Sequence, residues 1–348
     1  KTLLDEAGVR AERINSIDDF RQLPIMNKHN TFQRFPVDQL ALDGKLGPLT
    51  SVLTSSGHSG VFAFGLYDPQ GADEAGDRID DMLDSIFHVK SRSTLLVNCL
   101  PMGVKIYTRV CTLGETSVRS DMAAGLVEGF GEYFDQVILV GDAAFIKHLL
   151  EFGQDRGIDW KAMHVHAIVG EEPLAENARE YLEGLMGFDV HKPQTGLVIS
   201  SMGVGELGLN LFFEAPPASP LIRLRRALLK DPDLREHILG ARAGIPLLFA
   251  YNPDRTYIEF EQDGNLVITM LDPARRIPMV RYAPGDHGRF LQLEQVHRPL
   301  IENCGLSFDQ LQSLPIVLIS GRGKYALAGN RRVYPEDVKE GIYHNHAM

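Results

Sequence analysis

Four short stretches of the 348-residue chain have residue types and spacings suited to chemistry on a phosphorylated ligand. The first is Thr54-Ser55-Ser56-Gly57-His58-Ser59-Gly60, in which every residue but His58 is small and four carry hydroxyls. Glycines let backbone N–H groups turn inward and the hydroxyls add donors, a combination that suits a polyphosphate. It lacks the Gly-Lys-Ser/Thr ending of the common phosphate loop. The second is Gly203-Val204-Gly205-Glu206-Leu207-Gly208, a lone acid among glycines that could hold Mg²⁺ together with phosphate oxygens. The third is Arg281-Tyr282-Ala283-Pro284-Gly285-Asp286-His287-Gly288, a Pro-Gly turn that presents Asp286 after an expected strand. A carboxylate there can accept two hydrogen bonds from vicinal hydroxyls. The fourth, Gly321-Arg322-Gly323-Lys324, places the planar fork of Arg322 where it could meet a ribose or a phosphate. Taken singly, each stretch reads equally as a solvated turn.

The elements that must position these stretches can be read from periodicity. Ser16 caps a short helix from Ile17, and Pro24 and Pro36 interrupt the chain after it, so residues 1–48 read as a helical lead-in. Ile79, Met82, Leu83 and Ile86 recur at helical spacing within an acidic helix over 72–87. Strands at Thr94–Cys99, Gln136–Val140 and His164–Val169 alternate with helices at Met122–Phe130, Ala143–Gly153 and Glu172–Met186. That alternation implies a mainly parallel sheet. After residue 205 the pattern changes to a basic helix over Leu221–Leu239, then antiparallel strands at Tyr257–Phe260, Gly264–Met270 and Met279–Tyr282 about an Asp263-Gly264 turn. His164 and His166 are expected one on each side of the sheet, as core or crevice residues.

Thirty-five basic against 46 acidic residues, a net charge of −11, argue against a nucleic-acid partner, which needs a basic face. No apolar run approaches the roughly 18 residues of a membrane span. Cys99, Cys111 and Cys304 form no Cys-x-x-Cys pair, so they read as buried small hydrophobes of a protein expected in the cytoplasm. The chain opens on Lys1 and not on Met, as a fragment of a longer protein would.

The order of the motifs adds what no single one carries. A hydroxyl-rich glycine turn, then Gly170-Glu171-Glu172-Pro173-Leu174, then Met202-Gly203-Val204-Gly205-Glu206, then Tyr282-Ala283-Pro284-Gly285-Asp286, then Gly321–Lys324 resembles the adenylate-forming superfamily. Ile277–Asp286 and the run Val333-Tyr334-Pro335-Glu336-Asp337-Val338 are similar to its phenylacetate–CoA ligase branch, and the resemblance spans about residues 15–340. Two departures stand out: His58-Ser59-Gly60-Val61 where the family runs through threonines and glycine to a lysine, and Met202 and Gly205 where it has an aromatic residue and a threonine.

The resemblance implies an α/β large domain with layered, mainly parallel sheets and an antiparallel, barrel-like subdomain. The expected divisions are 1–48, a nucleotide-binding subdomain 49–205, a second subdomain 206–320, and a hinge at 321–348 beginning a small C-terminal domain absent from the given residues. It implies ATP-dependent activation of a small carboxylic acid to acyl-AMP, then transfer to a thiol, with coenzyme A expected. Thr54, Ser55, Ser56, Gly57, His58, Ser59 and Gly60 would cradle the β- and γ-phosphates, and Glu206 would hold Mg²⁺. Gly170, Glu171, Met202 and Gly203 would line the adenine pocket, Asp286 and Arg322 would hold the ribose, and Lys324 would be the hinge. Two readings stay open beside this one: a nucleotide-binding homologue weakened in catalysis, and acyl transfer to a protein or carrier thiol. A homodimer also stays open.

Overall fold

A computed structural model describes residues 2–55, 60–101, 104–188, 196–214, 219–240, 244–272, 275–293, 296, 298–303, 305–312, 315–321, 326–329 and 331–344. Its centre is one nine-stranded sheet. In spatial order its strands are Gly288–Phe290, Ile316–Ile319, Leu247–Tyr251, Gly208–Phe213, Val198–Val204, Val165–Val169, Gln136–Gly141, Thr94–Asn98 and Thr112–Glu115. The five from Thr112–Glu115 to Val198–Val204 run parallel. From Val198–Val204 onward every neighbour is antiparallel. The change of direction falls in the loop that carries Glu206, and the sheet is continuous across it.

The parallel strands read as unbroken apolar runs because both of their faces are covered. Leu95, Val97, Val137 and Leu139 pack toward the helices Ser120–Phe130, Ala143–Arg156 and Glu176–Met186. The alternate residues Leu96, Ile138, Val140 and Ile168 face Leu83 and Phe87 of the helix Pro69–Phe87. A third cluster joins Phe212, Leu247, Phe249 and Val317 to Ile258, Leu266 and Ile268 of the hairpin Thr256–Phe260/Leu266–Met270.

Several expectations need correction. The strands form one large sheet and three two-stranded ones, and among the described residues none closes into a barrel. Residues Leu221–Leu239 are two helices, Ser219–Lys230 and Pro232–Leu239, because Pro232 cannot continue the first and Asp231 caps the second. Met279–Tyr282 is no strand; Tyr282 makes single bridges to Ile268 and Met26. The helix from Ala143 ends not at Gly153, which lies under Trp160, but at Gly157, whose φ of 96° needs no Cβ. Cys99 is buried, whereas Cys111 is only half-buried, and burial pushes both thiols up to about 11. Cys304 lies outside the described residues.

A buried charge network went unread in the sequence. Arg179 and Arg225, both fully buried, share Glu176 at 2.9 and 2.7 Å; Arg179 also pairs with Glu214 at 2.6 Å. Arg225 reaches Glu340 at 3.3 Å, and Glu340 accepts the N–H groups of Glu176 and Asn177 at 2.6 and 3.0 Å. A carboxylate there meets the positive end of the helix Glu176–Met186. The network therefore fixes the helix Pro335–Tyr343 to the body of the fold.

Candidate functional site

The turn at 54–60 joins two antiparallel strands, Ser51–Thr54 and Phe64–Tyr67. Ser55 sits beyond the last pair: its N–H donates to the Ala63 carbonyl at 2.9 Å and its Oγ accepts the Ala63 N–H at 3.0 Å. The Ser55 hydroxyl keeps its own proton to donate. Thr54 Oγ1 donates to the Ser55 carbonyl at 2.9 Å. Gly60 has a φ of 78° and is exposed. Ser56, Gly57, His58 and Ser59 lie outside the described residues.

The acidic loop lies directly against this hairpin. A Cβ on Gly205 would stand 2.8 Å from the Thr54 carbonyl oxygen and 3.2 Å from Ser55 Cα. A Cβ on Gly65 would stand 2.6 Å from the Gly205 carbonyl oxygen. Both glycines are required by close backbone approach, not by turn geometry, so the first two motifs are packed together by what they lack. The strand carrying Met202 bulges between Met202 and Val204, a device that re-aims the residues after it.

Glu206 is 1% exposed. Its Oε1 accepts a hydrogen bond from the Tyr282 hydroxyl at 2.5 Å and lies 3.6 Å from the Lys28 ammonium. Its buried Oε2 has no hydrogen-bond partner among the described residues. Arg275 donates to the Glu206 carbonyl at 3.0 Å, with burial drawing the guanidinium below its usual range. Burial and the adjacent Glu206 carboxylate push the Tyr282 phenol well above its ordinary value, so it is a donor at every relevant pH.

Tyr282 and Lys28 arrive together. Met26 N–H donates to the Arg281 carbonyl at 2.9 Å, and Ala283 N–H to the Met26 carbonyl at 2.8 Å. Just beyond, Asn27 Oδ1 accepts the N–H groups of His29 and Asn30 at 2.9 and 3.0 Å, which bends the chain around Lys28. Four residues after Tyr282, Asp286 is 4% exposed, and its carbonyl accepts the Leu266 N–H at 2.8 Å. His287 N–H then donates to the Gly321 carbonyl at 2.8 Å, which sets the third motif beside the start of the fourth. Arg322 and Lys324 lie outside the described residues.

Gly170 and Glu171 follow the parallel strand Val165–Val169, beside Val198–Val204. A Cβ on Gly170 would be 3.8 Å from the Ser201 carbonyl oxygen, and Glu171 takes a positive φ of 65°. Gly170, Glu171 and Glu206 therefore lie beyond the carboxyl ends of the neighbouring parallel strands Val165–Val169 and Val198–Val204, the end of an open α/β sheet at which ligands bind.

No family model matches the chain, and no curated protein sequence does. Solved structures do resemble it. 2-Hydroxyisobutyryl-CoA ligase in the postadenylation state, bound to 2-HIB-AMP, superposes with a TM-score of 0.67 at 14% identity, over 99% of this chain and 68% of that one. An open conformation of the same ligase with 2-HIB-AMP and CoA gives 0.65, also at 14% identity, over 99% and 75%. The chain has the adenylate-forming fold.

Two contributors to this arrangement were not singled out in the sequence. Lys28 falls in the lead-in, with no spacing to separate it from the other basic residues. Tyr282 stood in view only as part of the turn that carries Asp286. One reading of the histidines is overturned as well. The His164 and His166 rings lie 4.6 Å apart on one side, as residues two positions apart on an extended chain must. His166 Nδ1 accepts the Leu197 N–H at 3.1 Å, and burial lowers its pKa to about 3. Among the described residues no helix is long and apolar enough to cross a membrane, and no group of His, Cys, Asp and Glu could hold a metal ion unaided.

Proposed function

We propose that this chain activates a carboxylic acid with ATP, forming acyl-AMP and pyrophosphate, and that a thiol, coenzyme A in the first instance, then displaces AMP. The observation that carries the reading is the buried Glu206 carboxylate, with an oxygen left without a hydrogen-bond partner among the described residues, on a loop pressed against the hydroxyl-rich hairpin. The fold supports it, since the ligase that superposes on this chain was captured with an acyl-AMP and CoA. The proposed divisions at 49–205 and 206–320 belong to the same reading.

The residues fit a divalent cation. Magnesium sites on polyphosphates commonly use one or two carboxylates and take their remaining ligands from phosphate oxygens and water. One orphaned carboxylate oxygen beside a phosphate-binding turn meets that need. When bound, the cation would offset charge that builds on the α-phosphate during in-line displacement. Ser55 Oγ–H and the backbone of the 54–60 turn would donate to the β- and γ-phosphates. Asp286 and Arg322 would hold the ribose hydroxyls, and Gly170, Glu171, Met202 and Gly203 would border the base. His58 and Lys324 keep their proposed roles at the phosphates and the hinge. Tyr282 holds Glu206 in place through the 2.5 Å hydrogen bond to Oε1, which leaves the buried Oε2 without a hydrogen-bond partner among the described residues.

Acid-dependent ATP–pyrophosphate exchange, screened over aliphatic, hydroxylated and aryl carboxylic acids, tests this. Exchange that needs both an acid and Mg²⁺ supports the proposal. Nucleotide binding without exchange for any acid would favour a homologue weakened in catalysis, a reading that Met202 in the place of an aromatic residue gives some footing.

A further inference from the structure

Among the described residues Lys28 is the cationic side chain paired with the Glu206 carboxylate, 3.6 Å from Oε1. Its side chain is 14% exposed while that of Glu206 is fully buried, so the ammonium is the outer member of the pair. A buried carboxylate is costly unless a cation or donors attend it. Tyr282 supplies one donor and the Lys28 ammonium supplies the charge. Arg275 is occupied at the Glu206 backbone carbonyl and leaves the carboxylate to Lys28.

From this geometry we infer that the Lys28 ammonium is a resident counter-ion of the Glu206 carboxylate, held at Oε1, and that a divalent cation binds the carboxylate through Oε2 only by displacing it. Two cations within about 4 Å of each other in a poorly solvated site repel strongly, so ammonium and metal exclude one another. Lysine suits the task, being a compact charge on a flexible stem that can withdraw toward solvent. The anchor of the stem is fixed, because Asn27 shapes the turn and Met26 is hydrogen-bonded to both Arg281 and Ala283. The consequence is a threshold: the empty site stays neutralised, and a metal arriving without nucleotide phosphates is disfavoured. This rests on the reading that Glu206 takes the cation, and the test separates the two.

The experiment is Mn²⁺ binding without nucleotide, read from loss of the free-ion electron paramagnetic resonance signal, with every protein at the same pH and ionic strength. Wild type, Lys28→Met, Lys28→Arg, Glu206→Gln and the double variant Lys28→Met/Glu206→Gln are compared, with circular dichroism confirming that each is folded. Lys28→Met is expected to bind Mn²⁺ roughly tenfold more tightly than wild type. Lys28→Arg should bind as wild type does, since it keeps the charge, and Lys28→Gln, which also removes the charge, takes the place of Lys28→Met if that variant does not fold. The gain should vanish in the double variant. Equal affinity of wild type and Lys28→Met, or a gain that survives Glu206→Gln, overturns the inference. If Glu206→Gln binds as well as the parent in both backgrounds, the assignment of Glu206 to the cation fails too.

Discussion

The Tyr282 hydroxyl and the Glu206 carboxylate meet at 2.5 Å although 76 positions separate them in sequence. The contact joins the glycine loop at the sheet's reversal to the turn that carries Asp286. With Gly205 against Thr54 and His287 against Gly321, it completes a chain of contacts through all four motifs.

Tyr282→Phe removes the donor and leaves Glu206 Oε1 attended, among the described residues, by Lys28 alone. The loss is expected to destabilise the fold by about 1–3 kcal/mol, the usual result of leaving a buried acceptor short of a partner. Urea unfolding of the two proteins measures it, and an unchanged midpoint would contradict a structural role for the bond.

Gly205→Ala places a methyl group 2.8 Å from the Thr54 carbonyl oxygen, where backbone must move. A cost of about 1–3 kcal/mol is expected, as for other overpacked sites, together with weaker nucleotide binding. The control is Gly125→Ala in the helix Ser120–Phe130, where a Cβ meets nothing within 4 Å. There the same change should stabilise by about 0.5–1 kcal/mol. Thermal unfolding of both variants gives the comparison.

Glu340→Gln weakens the pairing with Arg225 and the capping of the helix Glu176–Met186. Hydrogen exchange should quicken first at the Glu176 and Asn177 amides and across Pro335–Tyr343, with the central strands unaffected. Arg225→Met is the harsher change, expected to cost about 3–5 kcal/mol because it strands buried carboxylates.

His166 supplies a pH dependence whose sign is fixed. Burial holds its folded pKa near 3, against about 6.5 when the chain is unfolded, so the unfolded state binds the extra proton. Stability from this group is intact above about pH 6.5 and falls as pH drops toward 3, by up to about 1.4 kcal/mol per pH unit. His166→Leu should flatten that part of the stability profile. An unchanged slope in denaturant titrations between those limits would assign the acid sensitivity elsewhere.

Much of the fold was legible because its signals are local. Buried parallel strands such as Gln136–Gly141 announce themselves as apolar runs, and helices such as Pro69–Phe87 by their spacing. The order of the glycine motifs identified the fold to which those elements belong. What escaped depends on contacts between distant segments. Nothing near Lys28 marks it as the partner of residue 206, and nothing near Glu340 shows that it caps a helix starting 164 positions earlier. The glycines at 65 and 205 read as flexibility in the sequence; their use is the close packing of two backbones. The barrel was expected from the resemblance alone; the strands Gly208–Phe213, Leu247–Tyr251, Gly288–Phe290 and Ile316–Ile319 instead extend the central sheet, and Thr256–Phe260 and Leu266–Met270 pair as a separate hairpin.

Whether the four motifs form one nucleotide site is decided by calorimetric titration of ATP and AMP with and without Mg²⁺. The proteins needed are wild type, Glu206→Gln and Asp286→Ala. A single shared site requires that Asp286→Ala weaken both nucleotides alike, whatever the metal, whereas Glu206→Gln should remove only the Mg²⁺-dependent part of ATP binding. Wild-type protein that binds neither nucleotide, or an Asp286→Ala variant that binds both as tightly as wild type, would contradict it.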